Sequence, residues 1–142
     1  MSTDSTRKLI LDKFVSVLET LSSLSHVEKK RITPVDIETV PFPAAFVFSG
    51  AERKLGAGDS NAVIGYENWN WRVTIEVWAK DTDMENLLKE IHDLMWTNRK
   101  LGNYAVTTDR VGVDFLIVDI EQSIEAMLID FDVIYRHTKG VM

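Results

Sequence analysis

The stretch NWNWRVTIEVWAK, residues 68–80, decides the fold of this chain. Apolar and polar side chains alternate along it with a period of two, which predicts a long β-strand with one apolar face. The apolar face carries Trp69, Trp71, Val73, Ile75, Val77 and Ala79. Because Arg72 and Glu76 lie on the other face, we expect an antiparallel sheet with one solvated face, and not a parallel sheet covered on both faces.

The length and composition predict one soluble domain over residues 1–142. A chain of 142 residues is expected to bury roughly two thirds of the surface that its unfolded form exposes. There are no cysteines, which excludes disulfides, thiolate metal sites and thiol nucleophiles. No apolar run reaches the length of a signal-peptide core or a membrane span, so the sequence predicts neither a sorting sequence nor a membrane partner.

The chain is acidic, with 16 Lys and Arg against 22 Asp and Glu and a formal net charge of −6. This balance argues against a protein whose main task is to grip nucleic acid phosphates. The charge is also uneven, because residues 111–133 contain acids but no Lys or Arg. Those acids are Asp114, Asp119, Glu121, Glu125, Asp130 and Asp132. Such a segment is typical either of a solvated face or of a surface that steers a partner, and the sequence leaves both open.

Two amphipathic helices are predicted. The first covers residues 5–25, where apolar residues recur at spacings of three and four. They are Ile10, Phe14, Val17, Leu18, Leu21 and Leu24. The second helix begins at a capping box formed by Thr82 and Glu85 and is expected to end at Gly102. Its buried stripe consists of Met84, Leu87, Leu88, Ile91, Leu94 and Met95.

Three further strands complete the predicted sheet. Residues 44–49, AAFVFS, follow a proline and are expected at or near a sheet edge, whereas residues 25–43 are expected to form an extended connection. Alternating residues predict two more strands near 111–117 and 127–135, joined as a hairpin by a turn at 119–123. The predicted fold is therefore α+β, in the order α-β-β-α-β-β. It has a mainly antiparallel four-stranded sheet with both helices on one face.

Residues 50–65, GAERKLGAGDSNAVIG, contain four glycines and no sustained period, which predicts a long loop between two strands. The order of the glycines matches neither the Walker pattern nor the dinucleotide-binding pattern, so a phosphate-binding role is disfavoured. Long loops in compact domains usually have a function. We therefore interpret the segment as a mobile loop that becomes ordered on a partner.

Trp96 does not lie on the buried stripe of the second helix. At about 100° per residue it points more than a quarter-turn from the mean direction of Leu87, Ile91 and Met95. Two interpretations stay open. The indole either folds over the sheet edge near the helix end or anchors a protein interface, where tryptophan is enriched.

The sequence contains no catalytic or metal-binding motif. His26, His92 and His137 are far apart, and no serine stands in a nucleophile elbow. Asp130 and Asp132 share one face of the last strand, an arrangement that also fits a glycosidase-like carboxylate pair. We favour solvated strand carboxylates, because no adjacent substrate platform is evident. The sequence therefore predicts a protein that is not an enzyme and needs no cofactor.

Taken together, the elements resemble those of the tail terminators of tailed bacteriophages, also described as tail-to-head joining or tail-completion proteins. The resemblance rests on the amphipathic first helix, the glycine-rich loop and four short strings. These are Pro-Ala-Ala at 43–45, W-x-V-x-I-x-V from Trp71, Arg-Lys-Leu-Gly at 99–102 and Phe-Asp-Val-Ile-Tyr-Arg at 131–136. It spans most of the chain.

The resemblance implies a structural virion protein of the tail or neck, assembled in the host cytoplasm. Its copies would form a ring, commonly a hexamer, that caps the tail tube and joins it to a head-completion or connector protein. Partner contacts are expected from Arg53, Lys54, Leu55, Asp59, Trp78 and Trp96. Glu76, Asp130 and Asp132 are expected to face a lumen through which DNA passes without being gripped. The alternatives are a head-completion or connector protein and, less favoured, a small-molecule-binding domain or enzyme.

Overall fold

The computed structural model describes residues 6–54 and 66–138. In these residues helix α1 (Thr6–Leu18) is followed by strand β1 (His26–Glu28), helix α2 (Pro34–Thr39) and strand β2 (Ala44–Lys54). Then come strand β3 (Tyr66–Lys80), helix α3 (Met84–Thr97), strand β4 (Thr107–Asp119) and strand β5 (Ile124–Thr138). The class is α+β, as predicted.

The predicted four-stranded, two-helix architecture is wrong. Within the described residues the sheet has five strands in the order β1-β2-β3-β5-β4. It is mixed, because β1 pairs with β2 in parallel while the other neighbours are antiparallel. The organising strand β3 lies at the centre, between β2 and β5, and β4 and β5 form the predicted hairpin. The three-residue strand β1 pairs with residues 44–46 of β2, so residues 44–49 lie next to the sheet edge, in agreement with the prediction of a strand at or near an edge.

The extra strand and helix both come from residues 25–43, which were predicted to be an extended connection. Helix α2 begins with a capping box: the Thr33 N–H donates to Asp36 Oδ2 at 2.9 Å, and the Asp36 N–H donates to Thr33 Oγ1 at 3.4 Å. Pro34 occupies the first helical turn, where its missing N–H costs nothing. The Thr-Pro-x-Asp sequence therefore signals a helix start, although the helix is only six residues long.

The main core lies between one face of the sheet and the helices α1 and α3. We call this side of the sheet the helix face; it contains Val73, Ile75 and Val77 of β3. Helix α1 contributes Ile10 and Phe14, which are fully buried. Helix α3 contributes its predicted stripe, in which Met84, Leu87, Leu88, Ile91 and Met95 are buried. The period-two and helical patterns thus predicted the helix face correctly.

The opposite side of the sheet contains Arg72, Thr74 and Glu76, and we call it the polar face. One corner of it is covered. There, Ile32, Ile37 and Phe42, from α2 and the segments beside it, pack against Trp78, Ile124 and Ala126. The two predicted helices, α1 and α3, do lie on one face, whereas the third helix, α2, lies on the other.

Four predicted boundaries also shift. The side chain of Asp83 caps α3 by accepting from the Asn86 N–H at 3.1 Å, whereas the Thr82 hydroxyl donates to the Lys80 carbonyl. Helix α3 ends at Thr97, five positions before Gly102. Helix α1 ends at Leu18, and residues 50–54 of the predicted loop belong to β2. The rest of that loop, residues 55–65, lies outside the described residues.

The cap of α2 predicts an acid-sensitive corner of the fold. The hydrogen bond from Lys30 lowers the pKa of the Asp36 carboxyl, and bonds from Thr33 act in the same direction. A lowered folded pKa means that the ionised carboxylate contributes stability above the ordinary carboxyl pKa. That contribution is lost as the pH falls through the lowered value. We expect Asp36→Asn to remove this acid dependence and to loosen α2 at neutral pH.

Tryptophan fluorescence measures this effect, because Ile37 of α2 packs in the cluster that contains Trp78. The variant should show a smaller change in unfolding free energy between pH 7 and pH 3 than the parent chain. If the unfolding free energies of the two proteins changed with pH by the same amount, ionisation of Asp36 would not contribute to the stability of the fold.

Candidate interaction surface

Strand β4 forms an exposed apolar edge of the sheet. Within the described residues it pairs on one side only, with β5. It is followed by Ile120 in the turn, which is 82% exposed, and it carries Ile117, which is 73% exposed. The side chains of Val111, Phe115, Leu116 and Val118 are also exposed, and so is Trp96 of α3. We call these seven residues the β4 edge surface.

Helix α3 contacts β4 near Thr108 and Arg110, but the helices leave the part of β4 around Phe115 and Ile117 exposed. Phe115 pairs with Met127 and Ile117 pairs with Glu125, so both side chains lie on the helix-face side of the sheet. Met127 is fully buried in the core, whereas Phe115 is 49% exposed. Among the side chains of β4, Val113 packs partly against the main core. An unpaired strand edge with large apolar side chains is a typical site of association with another chain.

Trp96 lies beside this edge and remains 58% exposed. The guanidinium of Arg99 stacks 4.7 Å from the centre of its indole ring. This contact orients the indole but leaves most of it in solvent. The predicted role of Trp96 in partner binding stays a prediction, and its exposure is consistent with that role.

A small pocket of about 130 Å³ opens between α3 and β4 next to Trp96. Met95 and Phe131 line it, and both are almost completely buried. Thr108 also lines it and is 3% exposed, and its hydroxyl oxygen has no hydrogen-bond partner in the part of the chain that the structure describes. Arg110 lies at the same pocket and is exposed.

Trp78, the other predicted contact tryptophan, has different surroundings. It is 8% exposed, and its indole N–H donates to Glu76 Oε2 at 2.7 Å. The ring of Phe42 packs 6.5 Å away, centre to centre. Its position on the polar face follows the predicted alternation, but residues of its own chain cover it. Little of the Trp78 side chain is therefore accessible to the predicted partner.

The predicted lumen acids lie together on the polar face. Asp132 Oδ1 accepts a hydrogen bond from Arg72 Nε at 2.8 Å, and Asp130 Oδ2 lies 3.7 Å from the same guanidinium. The Thr74 hydroxyl donates to Asp130 Oδ1 at 2.7 Å. The hydrogen bond to Asp132 is the main reason why the pKa of Arg72 is raised. Each carboxylate thus has a cation close by, which is an ordinary arrangement for structural ion pairs.

Further acids extend this surface toward β4. Asp109 pairs with Asp132, and Asp114 pairs with Leu128, so both side chains lie on the polar face. Both are exposed. The polar face therefore carries five carboxylates, those of Glu76, Asp109, Asp114, Asp130 and Asp132, together with Arg72 and the exposed Arg53.

The remaining predicted contact residues lie near the end of β2. Arg53 is exposed and pairs with Asn70 of β3. Lys54 belongs to β2 by its backbone, whereas its side chain, Leu55 and Asp59 lie outside the described residues. A depression of about 410 Å³ next to Arg53 is lined largely by polar and charged residues, including Glu52, Arg72 and Asp132. Small-molecule sites of that size are mostly apolar.

The described residues contain no group of three or more His, Asp or Glu placed to hold a metal ion. None of the described helices is both long enough and apolar enough to cross a membrane.

Comparisons with known proteins relate this chain to others through its fold. No protein-family model matches the sequence, and no curated protein matches it either. A solved structure described as the virion of a native gene transfer agent particle contains a chain of similar fold, with a TM-score of 0.50. The superposition covers 95% of this chain and all of that chain, at 9% sequence identity. At this identity the similarity shows a shared fold.

Proposed function

We propose that this chain is a structural virion protein of the tail-terminator type. Its copies assemble into a ring that caps the tail tube, ends tail elongation and joins the tail to the head. The observation that carries the proposal is the β4 edge surface, which the described residues of one chain leave uncovered. The proposed role needs contacts between copies and with other virion proteins, and it needs no catalytic group.

An exposed apolar edge of a sheet makes a protein prone to unwanted association. Natural proteins protect sheet edges with charges, prolines or covering loops, because an uncovered apolar strand invites association. Between Val111 and Val118, β4 has one acid, Asp114, and no Lys, Arg or Pro. Contiguous apolar patches of this kind mark protein interaction sites. In the assembled virion a partner covers the patch, so its apolar side chains are no longer exposed to solvent.

Two further observations support a virion role. The fold is shared with a chain of the gene transfer agent virion, and the match extends along the whole of that chain. The sequence strings of the tail-terminator resemblance lie on elements of this fold: W-x-V-x-I-x-V is on β3 and Phe-Asp-Val-Ile-Tyr-Arg is on β5. The two strands are neighbours at the centre of the sheet.

In this proposal the polar face lines the lumen of the ring. Asp109, Asp114, Asp130 and Asp132 make its part on β4 and β5 acidic, which repels DNA phosphates and lets DNA slide past. Replacing Glu76, Asp130 and Asp132 by lysine is expected to slow DNA ejection. If that variant assembled and ejected DNA as the parent does, the polar face would not line the lumen.

The alternative roles predict different partners. A head-completion or connector protein would bind filled heads and leave tail tubes uncapped. A small-molecule binder would show saturable thermal stabilisation by its ligand, but the depression next to Arg53 is polar and lies on the open surface of β2 and β3.

The deciding experiment is negative-stain electron microscopy of the purified protein mixed with tail tubes of the same virus. The proposal predicts rings at one end of each tube. Binding to heads alone would support the connector alternative and contradict the tail-terminator role. A monomer in the absence of tubes is compatible with the proposal, because the tube can drive assembly by mass action.

A further inference from the structure

Two groups of residues lie toward opposite ends of β4. The tip group is Phe115, Ile117 and Ile120, at the turn into β5. The base group is Trp96 with the small pocket that Thr108 and Arg110 line. Residues 108 and 120 are roughly 35–40 Å apart along an extended strand. Ile120 therefore cannot reach the pocket of its own chain.

The tip presents an apolar side chain on an ordered turn. The Asp119 carboxylate accepts hydrogen bonds from the backbone N–H and the side-chain amide of Gln122, at 3.2 and 3.1 Å. Ile120 is 82% exposed beside them. Glu121 is exposed and forms no ion pair with any residue that the structure describes. An ordered turn loses little conformational freedom on binding, which favours its use as a docking element.

The base pocket fits a side chain better than a metabolite. Its volume of about 130 Å³ is below the roughly 300–1,000 Å³ of small-molecule sites. Its lining combines apolar surface from Met95 and Phe131 with the buried Thr108 hydroxyl, which has no partner in the described part of the chain. Met95 and Phe131 give the pocket an apolar interior that suits an apolar side chain, while Arg110 lies beside it.

The charges of the two groups are complementary. At the base, Arg110 has no ion-pair partner among the described residues, and Arg99 stacks on Trp96. Asp109 is the acid that lines the pocket. At the tip, Asp119, Glu121 and Glu125 belong to the segment 111–133, which contains no Lys or Arg. The chain as a whole has a net charge of −6. An arginine without an ion-pair partner, placed beside an apolar pocket, favours a partner segment that carries both an apolar side chain and an acid.

We propose that the tip of one copy docks into the base pocket of a second copy. Ile120 enters the pocket beside Trp96, and Glu121 pairs with Arg110. This inference rests on the proposed ring and names its subunit contact. The contact is heterologous, since each copy gives one tip and receives another, and a heterologous contact closes into a ring when the rotation between copies allows it. It also covers both exposed ends of β4.

Disulfide trapping tests this contact directly, because the chain has no cysteines of its own. The variant Ile120→Cys/Arg110→Cys cannot form a bridge within one chain, since the two positions are far beyond the roughly 7 Å limit between Cα atoms. On oxidation in the presence of tail tubes we expect a ladder of covalent oligomers. The matched control Ile120→Cys alone has one cysteine per chain, so it can give covalent dimers at most and no ladder.

A charge exchange supplies an independent second measurement. Glu121→Arg and Arg110→Glu alone are each expected to lower tube capping about tenfold or more, and the double exchange in one chain should restore it. Capping without a ladder in the double-cysteine variant, or without rescue by the exchange, overturns the tip-to-pocket contact and leaves the proposed function standing. A ladder without any capping supports the contact and contradicts the tail-terminator role. Absence of both overturns both.

Discussion

Phe131→Ala is expected to lower the free energy of unfolding by about 3–5 kcal/mol, the usual cost of removing a buried phenylalanine ring. Phe131 is 1% exposed at the centre of β5, and its ring contacts the edge of Phe14 at a centroid distance of 5.9 Å. The ring joins α1 to the sheet, and its removal leaves a cavity between them. Urea denaturation at low protein concentration measures the change from the shift of the midpoint.

Phe115→Ala is the matched control, since it removes the same ring from the neighbouring strand. Phe115 is half exposed, so we expect a loss of about 1 kcal/mol or less in the free subunit. The same variant is expected to cap tail tubes poorly. If both variants destabilised the free subunit equally, Phe115 would be a core residue and β4 would not present a free apolar edge.

Ile117→Lys is expected to abolish assembly while leaving the subunit folded. Ile117 is 73% exposed on β4, and lysine is a side chain with which natural proteins protect sheet edges. We expect capping of tail tubes to weaken by about 100-fold or more, the effect of losing a central interface residue. The free energy of unfolding should change by about 0.5 kcal/mol or less.

Val35→Lys controls for the added charge. Val35 is a similarly exposed apolar residue, but it belongs to α2 and not to β4. The fraction of capped tube ends, counted in electron micrographs at several protein concentrations, compares the two variants with the parent chain. Val35→Lys should cap tubes normally. If both variants capped tubes equally well, the β4 edge surface would not be part of the assembly contact.

The sequence predicts best those features that depend on neighbouring residues. The alternation along residues 68–80 correctly predicts which side chains of β3 face the helices, because successive side chains of a strand point to opposite faces. The stripe of α3 is predicted correctly for a similar reason. The short elements β1 and α2 are missed, because three and six residues are too few for a periodic pattern to appear.

Features that depend on distant parts of the chain could not be predicted. Trp78 lies on the predicted polar face, but residues 32–42 fold back over it, and no local pattern indicates that cover. The run Phe115–Val118 is typical of a buried strand. It is exposed because the strand order places β4 at an edge of the sheet. Four consecutive apolar residues beside an acidic turn were the signal in the sequence that could have indicated an interface.

Hydrogen exchange of backbone amides tests the central claim most directly, because it compares the strand edges of the free and the assembled protein. When the protein is bound to tail-tube ends, exchange is predicted to slow across residues 111–120 and around Trp96, and to stay unchanged in α2. Protection concentrated on α2 and β1, with β4 exchanging as fast as in the free chain, would contradict the assignment of the β4 edge surface as the assembly contact.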